Sequence, residues 1–285
     1  MHDASFAMPR RIGDLSDIAG SYDAIFCDIW GVVHNGLARH AAAERALAAA
    51  RAGGAKVVLI TNAPRQAPGV IAQLDTFGFS REAYDAVVTS GDVTRSLIGR
   101  SQGPLFHIGP ARDLDLFDGL VVERVEDPAQ AKAVIATGLF DDESETPDDY
   151  RDLIAAFRQN DLPMICANPD IVVHRGERLI YCAGAIARAY EEAGGTVSMA
   201  GKPYSPIYAE ARRLAGTSDE SRILAIGDGL ATDIKGANDA GIDVLLITGG
   251  IHGQDFGDRP EDPAEVGRVL VAKGLSADCF MAALG

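Results

Sequence analysis

The feature that most constrains this chain is its alternation of short apolar runs with helical patterns from one end to the other. The clearest runs are Ala24–Cys27, Lys56–Ile60, Ala86–Val88, Leu105–Ile108, Lys132–Ala136, Pro163–Cys166, Thr196–Met199, Arg222–Ile226 and Val244–Ile247. Each is short and mostly rich in Val and Ile, as strands buried on both faces are. Helix signals lie between many of them. Ser205-Pro206 opens Ile207–Ala215 with an N-cap and a first-turn proline, and Gly216 stops it. Thr146-Pro147-Asp148-Asp149 opens Tyr150–Gln159 in the same way, with carboxylates on the positive end of the helix dipole. Strand–helix alternation of this kind predicts an α/β fold with a mainly parallel, doubly wound sheet.

Composition narrows the partners. The chain has 285 residues, 47% of them apolar, and a formal net charge of −15. Nucleic acid and anionic membrane both need a basic face, so neither is expected as a partner. A phosphate ligand is still compatible, because a metal ion and helix N-termini supply local positive potential. The four cysteines, Cys27, Cys166, Cys182 and Cys279, form no C-x-x-C pair and read as reduced buried thiols. Met1–Gly20 lacks the apolar core of a signal peptide, and no apolar run approaches about 18 residues. The expectation is a cytoplasmic protein. The acidic stretch Asp141–Asp149 reads first as a solvated loop with a helix cap, and second as a metal site.

In open parallel sheets, functional groups collect beyond the carboxyl ends of strands. After Ala24–Cys27 comes Asp28-Ile29-Trp30-Gly31-Val32, and after Lys56–Ile60 comes Thr61-Asn62. Just beyond Thr196–Met199 comes Gly201-Lys202-Pro203, and after Arg222–Ile226 comes Gly227-Asp228-Gly229 with Asp233 following. Taken singly, each has an ordinary reading as a turn former, an N-cap or a loop lysine. As a set they suit phosphoryl transfer through a covalent aspartyl phosphate. A carboxylate attacks phosphorus, Mg2+ is held by Asp28 and Asp228, and Lys202 with the Thr61 hydroxyl stabilises charge on the equatorial oxygens. Gly31 and Gly227 let backbone approach the site closely.

The order Asp28, Thr61-Asn62, Lys202, Gly227-Asp228…Asp233 resembles the four motifs of the haloacid dehalogenase (HAD) superfamily. The stretch GDGLATDIKGANDAGIDVLLITGG, Gly227–Gly250, is similar to the fourth motif and following strand of its NagD-like class IIA branch. Cys166–Asp170 (CANPD) and Tyr181–Ile186 (YCAGAI) resemble that branch's cap. The resemblance implies a Rossmann-like core at about 1–90 and 196–285, with an inserted α/β cap at about 91–195. The gap between Thr61 and Lys202 far exceeds the about 30 residues of one strand–helix unit. It further implies Asp28 as nucleophile, Thr61, Asn62 and Lys202 as phosphate ligands, and Asp28, Asp228, Asp233 and the Trp30 carbonyl around magnesium. The substrate expected is a small phosphorylated molecule, and a homodimer through the cap is compatible.

One departure stands out. The phosphatases of the superfamily carry a second aspartate two residues after the nucleophile, which protonates the leaving group and activates water. Here that position is Trp30. An indole N–H is a donor that does not titrate near neutral pH. Three readings follow: a leaving group that needs little protonation, an acid from the cap or the substrate, or a scaffold that binds a phosphorylated ligand and turns it over poorly. Asp170 and His174 are the nearest cap candidates. Asp170 and Asn168, in Asn168-Pro169-Asp170, are turn formers first and substrate contacts second. Arg65 reads either as a helix-start arginine or as a contact for a substrate anion; His34 and Asn35 read first as a structural turn and second as residues that shape cap closure. Dehalogenation would also use an aspartate nucleophile but has no need of Asp228 and Asp233. A phosphate-binding P-loop fails on spacing, since Pro203 stands where a Ser/Thr would be required.

Overall fold

The computed structural model describes residues 8–175, 178–217, 219–250, 253–257 and 261–285, and the chain divides into two compact units. Unit 1 comprises Met1–Thr61, Ile71–Val88 and Tyr208–Gly285; unit 2 comprises Asn62–Val70 and Thr89–Ile207.

Unit 1 is built on a seven-stranded sheet. Its strands are β1 (Arg10–Arg11), β2 (Ala24–Asp28), β3 (Lys56–Thr61), β4 (Ala86–Thr89), β12 (Ile223–Gly227), β13 (Asp243–Ile247) and β14 (Cys279–Met281). Their order is β1-β14-β13-β12-β2-β3-β4. Pairing is parallel from β1 through β3. All five residues of β2 and of β12 are buried, which explains why the runs AIFCD and ILAIG show no polar alternation. The chain moves outward from β2 through helix Ala41–Ala52 to β3, and through helix Ala67–Thr76 to β4. From β12 it moves the opposite way, through helix Lys235–Asp239 to β13 and helix Pro263–Ala272 to β14. Right-handed crossovers therefore put the two helix sets on opposite faces. The winding direction reverses between β2 and β12, where a doubly wound sheet opens a crevice beyond its strand ends.

Unit 2 carries a second parallel sheet of order β11-β8-β7-β5-β6. Its strands are β5 (Leu105–Ile108), β6 (Arg124–Val125), β7 (Ala133–Ala136), β8 (Met164–Cys166) and β11 (Val197–Met199). Phe106, Ile108, Val134 and Ala136 pack with Phe157 and Tyr190 on one face. The alternate residues Leu105, Ala133 and Ile135 pack with Leu116 and Phe117 on the other. Period-2 side chains thus feed two separate cores, and these strands too read as unbroken apolar runs. An antiparallel hairpin, β9 (Val172–Arg175) and β10 (Arg178–Tyr181), completes the unit.

The expected runs fall on strands within a residue or two. The sequence reading missed β1, β6, β14 and the hairpin. β1 and β6 are two-residue edge pieces, and β9–β10 mixes charge with apolar residues because most of β10 is exposed. The acidic stretch is loop and cap: Thr146 N donates to Asp149 Oδ2 at 2.8 Å ahead of helix Arg151–Gln159. All four cysteines are buried, and burial pushes the Cys166 and Cys182 thiols up to about 12. Among the described residues no helix is long and apolar enough to cross a membrane.

Candidate active site

Asp28 is the last residue of β2, and the registers Asp28↔Ile60 and Cys27↔Ile226 set it between the ends of β3 and β12. Asp228 follows β12 directly. A π-type turn, Leu230–Ile234, then brings Asp233 back toward the strand end, where Gly229 N donates to Asp233 Oδ2 at 3.0 Å. Asp28, Asp228 and Asp233 each offer an oxygen within 4.8 Å of the other two. The three residues are only 7%, 3% and 6% exposed. Buried like charges this close repel strongly unless a cation is held among them. The donors are all carboxylate oxygens, with no His or Cys, which suits a hard divalent ion such as magnesium rather than zinc.

Three glycines make room for these acids. A Cβ on Gly31, which sits at φ +89°, would fall 2.3 Å from Asp228 Oδ2. One on Gly250 would fall 1.9 Å from the same atom, and one on Gly227 would fall 2.3 Å from the Asp233 Cβ. The sequence reading named Gly31 and Gly227 but gave Gly250 no role, although it closes the stretch most similar to the fourth motif. Gly250→Ala is expected to displace the Asp228 carboxylate and weaken divalent-ion binding about tenfold or more; titration calorimetry with magnesium checks this, and unchanged affinity would contradict the packing.

Trp30 is 44% exposed, and its indole lies over Gly36, where a Cβ would meet Cη2 at 2.4 Å. It stands edge-on to the His34 ring at 5.2 Å, and His34 in turn meets Phe77 at 5.0 Å. His34 Nδ1 accepts from Gly36 N at 3.0 Å, while Asn35 Oδ1 accepts from the amides of Leu37 and Ala38. His34 and Asn35 are thus turn residues that carry the indole.

Thr61 is the buried last residue of β3, and Asn62, the next residue, is counted with unit 2. Asn62 and Lys202 clasp each other: Lys202 N donates to Asn62 Oδ1 at 2.7 Å, and Asn62 Nδ2 donates to Lys202 O at 3.1 Å. Gly201 permits this closeness, since a Cβ there would lie 2.4 Å from Asn62 Oδ1. Asn62 Nδ2 also donates to Asp170 Oδ1 at 3.0 Å, and Asp170 N donates to Asn168 Oδ1 at 3.0 Å. Asn62, Lys202, Asp170 and Asn168 therefore form one network. Arg65 lines a cavity of about 250 Å³ together with Asn168. His174 lies in β9, but its side chain is outside the described residues.

Of this cavity, sequence reasoning named Arg65 and Asn168 but not Arg112, Asp113 or Thr137, nor His107, which contacts Thr137. Arg112 pairs with Asp142 and lies 4.0 Å from Asp113. Burial pushes the Asp113 carboxyl up, against a hydrogen bond from Thr137 that lowers it. His107 Nε2 lies 3.0 Å from Thr137 Oγ1, and burial pushes His107 down to about 4, so the ring is neutral at physiological pH. These residues come from separate segments with no local pattern. Only Asp142 carried a signal, as part of the acidic stretch.

The chain matches the family description haloacid dehalogenase-like hydrolase over residues 25–122 and HAD-hydrolase-like over residues 199–274. A solved hydrolase of the haloacid dehalogenase-like family from Brucella suis 1330 is 50% identical, with a TM-score of 0.83, covering 97% of this chain and 100% of that one. The D-glycerol 3-phosphate phosphatase of Mycobacterium tuberculosis is 27% identical over 254 residues, 84% of this chain. The match spans 66% of that enzyme, just under two-thirds of its length. A solved glycerol phosphate phosphatase from Mycobacterium tuberculosis, in complex with magnesium, is 25% identical at a TM-score of 0.66, covering 85% of this chain and 74% of that one. With a full-length relative at 50% identity and a parallel core whose switch point gathers three carboxylates, the chain belongs to the haloacid dehalogenase-like hydrolases.

Proposed function

We propose that this chain is a magnesium-dependent phosphatase or phosphotransferase that acts on a small phosphorylated metabolite through an aspartyl phosphate on Asp28. The observation that carries the proposal is the buried triad of Asp28, Asp228 and Asp233 within 4.8 Å at the sheet's switch point. The magnesium found with a solved relative supports the choice of ion. Asp28, Asp228, Asp233 and the Trp30 carbonyl would hold it, and it would supply charge neutralisation for the phosphoryl oxygens.

An Asp28 carboxylate oxygen attacks phosphorus as the ester P–O bond breaks, and the leaving oxygen takes a proton. Water, or another acceptor hydroxyl, then attacks the aspartyl phosphate, and the carboxylate is regenerated. Thr61, Asn62 and Lys202 bind the transferring group, the first two through donors and Lys202 through its charge. Unit 2 serves as the cap that selects the substrate. Because the Trp30 indole cannot protonate an alkoxide, we assign that proton to Asp170, whose carboxyl accepts from Asn62 and whose backbone amide donates to Asn168.

Purified protein is expected to release phosphate from p-nitrophenyl phosphate with magnesium present and to lose this activity to a chelator, with recovery on adding magnesium back. Absence of release under any divalent ion would overturn the reading. A second reading rests on Trp30: a phospho-ligand-binding or regulatory protein on the same scaffold. It predicts magnesium-dependent thermal stabilisation by a phosphorylated metabolite without turnover.

A further inference from the structure

We propose that the cavity inside unit 2 binds a neutral, polyhydroxylated group of about three to five carbons, and that this group is the organic part of the substrate. The inference rests on the phosphatase reading and extends it to a substrate class. The polar wall is made by Arg65, Arg112, Asp113, Thr137, Asp142 and Asn168. Among the described lining residues two guanidiniums stand with two carboxylates, so formal charge there is balanced. A second anionic group on the substrate would meet Asp113 and Asp142, and a cationic group would meet the arginines. Either leaves charges unpaired in a half-enclosed site, at the cost that buried unpaired charge carries. A hydroxyl both donates and accepts, so adjacent hydroxyls satisfy a wall of alternating acceptors and donors.

Size and shape point the same way. A volume of about 250 Å³ holds about eight water-sized groups. Tyr181 is the one aromatic side chain among the described lining residues, with Val173 and Ile180 beside it. A nucleobase would lack the pair of flat faces that such sites use for stacking. The cavity also joins the phosphate motif within its own unit. Asn168, on its wall, accepts from Asp170 N, and Asp170 accepts from Asn62. Pro64 and Arg65 extend the wall two and three residues beyond Asn62.

The test compares kcat/KM for glycerol and pentitol phosphates, AMP, phosphoglycolate and p-nitrophenyl phosphate, in the wild type and in Asp142→Asn and Arg112→Gln. Each variant removes one charged partner of a hydroxyl, a change of about 10- to 100-fold in binding. The expected result is a polyol phosphate favoured at least tenfold over AMP and phosphoglycolate. Its selectivity over p-nitrophenyl phosphate should fall at least tenfold in both variants, measured well below the melting temperature of each, since both break the Arg112–Asp142 pair. A preference for AMP or phosphoglycolate, or unaltered selectivity in both variants, overturns the assignment. If no ester is hydrolysed, including p-nitrophenyl phosphate, the phosphatase reading fails by itself. The cavity is then read by thermal shift: stabilisation by pentitol phosphate but not AMP, lost in Arg112→Gln, upholds it, and equal stabilisation by both refutes it.

Discussion

Replacing Asp28 with Asn is expected to lower phosphate release by about 10⁴-fold or more, with the fold intact. The expectation follows from what the substitution removes. The amide has nearly the same shape, so β2 and its register with β3 and β12 are unaffected. The side chain, however, loses the electron pair that forms the covalent intermediate, and loss of a nucleophile costs rates on this scale. It also removes one of three charges around the ion, so magnesium affinity should fall as well. Single-turnover assays at saturating magnesium separate the two effects. An Asp28→Asn protein that releases phosphate at the wild-type rate under those conditions would end the covalent mechanism.

The second large effect concerns the proton. Asp170→Asn should lower kcat for alkyl phosphates by about 10²- to 10⁴-fold, the usual contribution of general acid–base catalysis. For p-nitrophenyl phosphate the loss should be under about tenfold, because that leaving group needs little protonation. The amide still accepts from Asn62, so the network through Asn168 survives and the comparison isolates the proton. A plot of log kcat against leaving-group pKa should therefore be shallow in the wild type and steep in Asp170→Asn. Equal slopes would remove Asp170 from the chemistry. Trp30→Asp in the Asp170→Asn background is the complementary measurement, since it restores a carboxyl two residues from the nucleophile.

Much of the first unit was legible from the residues. Strands buried on both faces leave unbroken apolar runs, and a parallel sheet puts its working residues at the ends of those runs. Asp28, Thr61 and Asp228 were singled out as candidates for that reason. β14 escaped because Cys-Phe-Met is too short to show a period, and β9–β10 because charged residues interrupt it. Gly250 escaped because its importance is a distance to Asp228, which no local pattern encodes. Of the cavity wall, Arg65 and Asn168 were named as candidate substrate contacts, and the rest escaped. Arg112 and Thr137 look like ordinary loop or turn residues, and only tertiary packing puts Asp113 out of water beside them.

The indole poised over Gly36 has a further use. It belongs to the only tryptophan in the chain, two positions from the nucleophile and partly open to solvent. Tryptophan emission of the unlabelled protein therefore comes from a single spot beside the chemistry. Ligand occupancy can be followed there by fluorescence alone, without a dye or an engineered reporter.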